Sequence, residues 1–291
     1  MRGKIDKYLE LTKPKVTLLN LLVGVTCFIL AALPSIDLLK LAIFCVSGYL
    51  AAGGCGILNC VYDQKLDGMM QRTSKRAIPA GAVATKTALV YGTILTVTGI
   101  AASYFAFNVL TAFMMILGLV FYLPVYTIWL KRSNKWNVVI GGAAGCFAGL
   151  SGWTAVANAL SLTPLLIASV DFLWTPGHLW GLAIKKVKEY RKAGIPMLPV
   201  SLGLTRASQI TFLFNAATFG ASLLLPLFGL AGLPYLGIAA VAGTLFLLES
   251  GKLAVSPSES QGFRAFLASM PYLASVMAAL MVDKFLSTCL I

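Results

Sequence analysis

Asn59, Asp63 and Asp67 stand four residues apart in the stretch N-C-V-Y-D-Q-K-L-D, close behind a long apolar run. Four residues is about one helical turn, so a helix carrying them presents all three side chains on one face. Two carboxylates so spaced can hold a hard divalent cation. Mg2+ takes oxygen ligands in octahedral geometry and commonly binds one or two carboxylates together with substrate phosphates. Asn59 offers either an amide oxygen to the metal or an N–H to a phosphate. The run M-M-Q-R-T-S-K-R follows at once and supplies Arg72, Lys75 and Arg76. Arginine forks match phosphate oxygens, and lysine adds a point charge. The competing reading is a solvated helix end whose acids pair with nearby bases. It suits a single Asp better than it suits N-x-x-x-D-x-x-x-D followed by R-T-x-x-R.

A second polar group lies in D-F-L-W-T-P-G-H-L-W-G-L-A-I-K-K-V-K-E-Y, with Asp171, Trp174, His178 and Trp180. Asp171 and His178 are seven apart and share a helical face, and Pro176 and Gly177 are expected to break the helix between them. His178 is the only histidine in the chain. It reads equally as a hydrogen-bonded structural residue, as a proton acceptor, or as a contact to a cofactor ring. Lys185, Glu189 and Tyr190 read as a second polar cap, although Lys185, Lys186 and Lys188 also serve as topological charges. Tyr122, Tyr126, Trp153, Trp174 and Trp180 offer ring faces to a cationic intermediate. Near helix ends the same residues serve as interfacial anchors.

Composition says what must position these groups. Of 291 residues 58% are hydrophobic and 11% charged, where a soluble domain carries about 25% charged residues. Several apolar runs reach the ~20 residues that cross a bilayer. We read nine membrane helices, near 16–33, 38–60, 86–105, 108–127, 136–156, 162–184, 206–228, 232–250 and 266–288. Backbone groups in lipid must bond internally, and runs of this length select helices over a barrel. The expected fold is therefore an all-α integral membrane protein forming one domain over residues 1–291.

The net charge of +13 does not indicate nucleic acid, because its distribution is topological. Basic residues fall in alternate connections: before the first helix, then after the second, fourth, sixth and eighth. Only Lys40 and Lys284 lie near the other side. This positive-inside pattern puts the N-terminus in the cytoplasm and the C-terminus outside. A secretory signal would have a shorter apolar core than the first run. The six cysteines show no C-x-x-C spacing, so neither a zinc site nor a disulfide framework is expected. Two long polar loops, after the second and sixth helices, both end in Gly/Pro punctuation and face one side. They can meet over a cavity between helices. An apolar cavity with a metal and bases at its mouth suits a prenyl pyrophosphate.

The motifs are similar to those of the UbiA superfamily of intramembrane prenyltransferases, and within it to the branch that farnesylates protohaem IX. Y-L-E-L-T-K-P-K-V-T resembles that branch's N-terminal segment, and N-C-V-Y-D-Q-K-L-D-G-M-M-Q-R-T-S-K-R its first aspartate motif. V-Y-T-I-W-L-K-R-S-N-K-W-N resembles its fourth-to-fifth helix signature. F-L-W-T-P-G-H-L-W-G-L-A-I and Y-R-K-A-G-I-P-M-L-P-V resemble its sixth-helix and following-loop signatures. The likeness runs from about Tyr8 to Gly203. It implies nine helices around a central cavity with cytoplasmic polar caps, in the cell membrane. It also implies Mg2+ and transfer of farnesyl from farnesyl pyrophosphate to a vinyl group of haem B, with water adding to give haem O.

By the same likeness Asn59, Asp63, Asp67, Arg72 and Arg76 bind metal and pyrophosphate. Lys131, Arg132, Lys185 and Glu189 complete the polar cap, and His178 and Trp174 lie toward the haem. Contact with a haem A synthase or a terminal oxidase is left open. Other acceptors in the superfamily are aromatic quinone precursors and lipid glycerols; W-T-P-x-H and W-L-K-R argue against them. A transporter would show inverted repeats and broken helices at the bilayer midplane, whereas these acids cluster at one face. Two departures matter. Lys65 stands where the branch commonly has an acid, off the Asp63/Asp67 face. The superfamily's second acidic motif is here K-K-V-K-E-Y, which implies one metal-rich site facing a lysine-rich partner.

Overall fold

The computed structural model describes residues 4–71 and 73–289, and among them the chain is helical with no strand. The elements begin with α1 (Lys4–Leu11), α2 (Pro14–Ala32), α3 (Leu38–Tyr62), α4 (Gln64–Met69) and α5 (Thr85–Ala106). Then α6 (Val109–Val120) runs on as a π-helix over Phe121–Leu130 and ends in one more turn, α7 (Lys131–Ser133). There follow α8 (Asn137–Ala157), α9 (Leu162–Lys185), α10 (Val187–Lys192), α11 (Leu198–Leu224), α12 (Leu233–Val255) and α13 (Glu259–Cys289).

Among the described residues eight stretches are long and apolar enough to cross a membrane, with 109–133 counted as one. At 24 residues α9 is as long, but Asp171, Pro176, Gly177 and His178 dilute its hydropathy. Apolar side chains such as Leu89, Val90, Ile94 and Val97 of α5 are exposed on the outer surface, as lipid contact requires. The chain is an integral membrane protein.

Two expectations change. The fourth span does not end near 127, because the π-helix carries it to Ser133. Pro176 and Gly177 do not break α9, which continues through both. Both residues are buried against neighbouring helices, where a lost backbone bond is tolerated. Gly177 is there for packing: a Cβ at this position would lie 1.8 Å from Asn215 Oδ1 of α11. In α11, Gly203 has φ 78° and ψ 169° and divides the helix. That division explains why the hydropathy pattern places the span's start near 206.

Neighbours in sequence are neighbours in space. The contacts run α3 on α5, α5 on α6, α6 on α8, α8 on α9, α9 on α11, α11 on α12 and α12 on α13. α2 packs against α3, α8 and α13. Small residues let the backbones approach: a Cβ on Gly152 of α8 would lie 1.9 Å from the Gly24 carbonyl of α2. The largest apolar cluster joins α2, α9, α11, α12 and α13 around Trp174, Tyr235, Phe246 and Tyr272. Its polar tips are satisfied: Tyr235 donates to the Ser222 carbonyl at 2.9 Å and Tyr272 to Ser222 Oγ at 2.8 Å. Asp283 is also buried, and it caps α12 by accepting from Gly232 N–H at 2.6 Å and Tyr235 N–H at 3.2 Å.

Candidate active site

α3 passes into α4 at Asp63 without losing the helical ladder. Asp63 N–H donates to the Asn59 carbonyl at 2.9 Å, and Asp67 N–H to the Asp63 carbonyl at 2.7 Å. The one-turn spacing of Asn59, Asp63 and Asp67 is therefore kept across the junction. All three residues are nearly inaccessible, at 4%, 1% and 5% exposure. Buried carboxylates need cations or donors around them.

The partners of the three residues include side chains from four other places in the chain. Lys131 pairs with Asp63 Oδ2, and Arg132 stands 3.8 Å from Asp63 Oδ1. Arg76 binds Asp67 Oδ2 at 2.7 Å. Lys13 donates to Asn59 Oδ1 and lies 3.3 Å from the Tyr122 hydroxyl. The Asn59 amide donates to Asp63 Oδ2 at 3.0 Å and to Thr127 Oγ1 at 2.9 Å. Its oxygen and its N–H groups are thus both engaged, and it orients Asp63 and Lys13. Burial, then the charges of Arg76 and Lys131, push the Lys13 ammonium below the ordinary lysine range. Arg76 is also opposed by burial, but Asp67 beside it raises its pKa.

Lys13 and Thr127 are functional candidates that motif reading misses. Lys13 sits between α1 and α2 with φ 52° and ψ 59°, a left-handed conformation that L-residues seldom adopt. It reaches the site because Gly56 lets the chain at Thr12 lie directly on α3; a Cβ there would be 3.2 Å from the Thr12 carbonyl. Thr127 depends on the π-helix. With i→i+5 bonding one turn takes more than four residues, so Tyr122, Tyr126 with Thr127, and Lys131 fall on one face. Thr127 Oγ1 donates to the Tyr122 carbonyl, five residues back, at 2.8 Å. The Tyr122 and Tyr126 rings stack at 6.2 Å, and Lys13 Nζ lies 5.9 Å from the Tyr122 ring centre. Pro124, which lacks an N–H, stands within this stretch. In the sequence the only signal for it is a proline inside an apolar run.

Below this polar mouth lies a partly open, mostly apolar cavity. Lys13 and Tyr122 line its upper end; Gly48, Phe44, Met115 and Phe147 line the remainder with other mostly apolar residues. Its walls come from α2, α3, α5, α6, the π-helix and α8 alone. The described lining of the cavity therefore comes from residues 13–151.

A buried acid pair, ringed by bases at the mouth of an apolar chamber among membrane helices, agrees with the family model that matches residues 18–275, described as the UbiA prenyltransferase family. The chain belongs to that family. A protoheme IX farnesyltransferase of Cenarchaeum symbiosum is 39% identical over 94% of this chain and 94% of its own length. Another protoheme IX farnesyltransferase, from Chloroflexus aurantiacus, is 37% identical over 97% of this chain, which spans 48% of that relative. The solved structure of a UbiA homolog from Archaeoglobus fulgidus bound to DMAPP and Mg2+ superposes with a TM-score of 0.70 at 18% identity, over 95% of this chain and 99% of that one. At that identity the likeness concerns the fold.

The remaining sequence candidates of this UbiA-family chain lie in varied settings. Arg72 lies outside the described residues. Lys75 is exposed. Arg132 also donates to the Tyr62 carbonyl at 2.9 Å. Lys186 binds Glu189 at 2.8 Å, and Lys185 faces the Phe263 ring at 6.0 Å. Tyr190 and Leu66 both pack on the buried cluster that holds Met70, Ile195 and Met197, so the two long loops share one apolar clasp. Tyr190 also stands close enough to Lys131 and Tyr126 to act on them electrostatically. Trp174 donates to the Ser269 carbonyl at 2.8 Å and stacks on His178 at 4.2 Å. His178 Nδ1 lies 2.6 Å from Ser269 Oγ and its ring 4.4 Å from Phe266. The described contacts of this pair join α9 to α13. Asp171 lies elsewhere, against Gly145 of α8.

Among the described residues no group of three or more His, Cys, Asp or Glu side chains can hold a metal alone. The acid pair nevertheless fits Mg2+, which needs only one or two carboxylates when substrate phosphates complete its shell. Asp63 Oδ1 is buried and accepts no hydrogen bond among the described residues.

Proposed function

We propose that the chain transfers the farnesyl group of farnesyl pyrophosphate to a vinyl group of haem B, releasing pyrophosphate and adding water to give haem O. The observation that carries this reading is the excess of charge at the mouth. Arg76, Lys131 and Arg132 converge on two carboxylates, and Lys13 adds a fourth base on the adjoining Asn59, which leaves attraction for a polyanion directly above an apolar chamber. The farnesyltransferase names belong to the relatives; at this level of identity over nearly the whole chain they support the same acceptor here.

On this reading Asp63 and Asp67 hold Mg2+, which supplies charge neutralisation at the leaving oxygens. Lys13, Arg76 and Lys131 bind the pyrophosphate and hold the charge that builds as the allylic bond breaks. Arg72, Lys75, Arg132, Lys185, Glu189 and Tyr190 complete the cap. Asn59 fixes the direction of Asp63. The cavity wall excludes water from the allylic cation, and the Tyr122 and Tyr126 ring faces stand where that cation forms. We assign His178 and Trp174 to the haem side. There His178 either contacts the ring or takes the proton released when water adds. We further assign α9 as a ninth span in the cell membrane, with the N-terminus and the site mouth in the cytoplasm.

The test is incubation of the purified protein with farnesyl pyrophosphate, haem B and Mg2+, with products read by mass. The expected result is hydroxyethylfarnesyl haem, lost on chelation and restored by Mg2+. Prenylation of an aromatic acid or a lipid glycerol, with haem untouched, overturns the acceptor. Full transfer under chelation overturns the metal assignment.

A further inference from the structure

We infer that Phe44 is the floor of the prenyl cavity and sets the longest isoprenoid the protein accepts. This inference rests on the preceding reading of the cavity as a prenyl site. Phe44 extends from α3 across the chamber to α2: its ring tip, Cζ, lies 3.1 Å from the position of a Cβ on Gly24. A side chain at residue 24 would collide with it, so the bare Gly24 backbone is the seat on which the ring rests. Phe28 and Phe107 stand behind the ring. The centroids are 5.5 Å apart for Phe28–Phe44 and 6.3 Å for each pairing with Phe107. Phe28 and Phe44 are buried, Phe107 is half-buried, and Leu21, Val25 and Met115 pack against them, so the Phe44 ring cannot swing aside without displacing its neighbours.

The depth decides the length. Lys13 marks the mouth and Gly24 the floor. Eleven residues of helix rise about 16 Å at 1.5 Å each. Three backbone bonds of an extended chain span at most about 3.5 Å; by the same rule the main chain of a C10 tail spans about 8 Å, a C15 tail about 13 Å and a C20 tail about 17–18 Å. The chamber admits the C15 tail and stops the C20 tail at the Phe44 ring. Gly48 lies one turn above Phe44 on the same wall. A Cβ there meets only the end of the Leu21 side chain, at 3.2 Å. A larger residue at 48 raises the floor by one turn, about 6 Å, and leaves room for a C10 tail.

The experiment uses the full-length protein with Mg2+ and two readouts. Calorimetry gives the Kd of geranyl, farnesyl and geranylgeranyl pyrophosphates, and mass analysis of a three-way competition with haem B gives the product ratio. The wild type is expected to favour C15 over C20 at least tenfold. Phe44→Ala should raise the C20:C15 ratio at least tenfold, and Gly48→Leu should raise the C10:C15 ratio by a similar factor. A ratio is independent of how much protein folds, and the two substitutions push in opposite directions. Unchanged ratios in both variants overturn the ruler, as does a wild type that takes C20 as readily as C15. Shifted Kd ratios without any prenylated haem keep the ruler and overturn the acceptor instead.

Discussion

The two long polar segments, 63–76 and 185–190, look alike in sequence and differ in the folded chain. Both mix acids with lysine or arginine beside a membrane helix. In the first, Asp63 and Asp67 are nearly inaccessible and are held by bases from the π-helix end and the 70–80 loop, while Lys13, just before α2, holds Asn59 beside them. In the second, Glu189 pairs with Lys186 three residues away, and both stay partly exposed. The first segment is built by the whole tertiary structure. The described Lys186–Glu189 pair of the second lies within one turn of its own helix. A carboxylate that recruits partners from distant elements, at the cost of desolvating them, marks a site. The Lys186–Glu189 contact, at i and i+3 and partly exposed, is by itself of the kind found on an ordinary helix surface.

The sharpest way to break this contrast is Asp63→Ala. It removes a proposed metal ligand and leaves Lys131 with no counter-charge in a buried setting. We expect a loss of at least 10²–10³ in transfer rate, the scale of removing a group that acts on transition-state charge. Helical content should be retained by circular dichroism, and Asp67→Ala should behave alike. Full activity in either variant sinks the assignment. Lys13→Met is the next largest. Lys13 touches Asn59 and Tyr122 and faces the cavity, so the variant should raise KM for the prenyl pyrophosphate by about 10–100-fold, one to two lost charge-assisted contacts. A change in kcat alone would place Lys13 outside the binding of the anion.

The sequence shows the acid pair because helix periodicity alone puts Asn59, Asp63 and Asp67 on one face, and the junction at Asp63 respects that period. It shows the spans for the same reason: apolarity is a local property, and eight of the nine expected stretches meet it outright. It does not show Lys13, whose approach depends on the close packing allowed by Gly56. Nor does it show Thr127, because an α-helical count from Tyr122 to Lys131 scatters residues that the wider π turn gathers. The position of the cavity was equally hidden, since its walls depend on which helices pair. The family resemblance supplied Lys131 and Arg132, which spacing alone would have left as interfacial charges.

His178 tests the contrast from the opposite direction, since it is half-buried within the bundle but its described partners, Trp174, Ser269 and Phe266, lie on α9 and α13. Loss of one hydrogen bond costs about 1 kcal/mol. If His178 serves the haem, His178→Ala should lower transfer about tenfold or more while Tm falls only modestly. A variant that loses stability and keeps its specific activity returns His178 to a purely structural role.

The smallest effect belongs to Lys186→Met. The pair with Glu189 is short, at 2.8 Å, but its side chains retain 29% and 17% exposure. Water therefore screens it, and exposed pairs contribute about 0–1 kcal/mol. Met keeps most of the apolar stem, so packing beneath the loop is preserved. The apolar clasp that Tyr190 and Leu66 share with Met70, Ile195 and Met197 is untouched, and it is the clasp that ties this loop to the first. Transfer should stay within a few-fold of wild type and Tm should move little. A loss approaching that of Asp63→Ala would show that the Lys186–Glu189 pair itself takes part in the chemistry, beyond a contact at the edge of the cap.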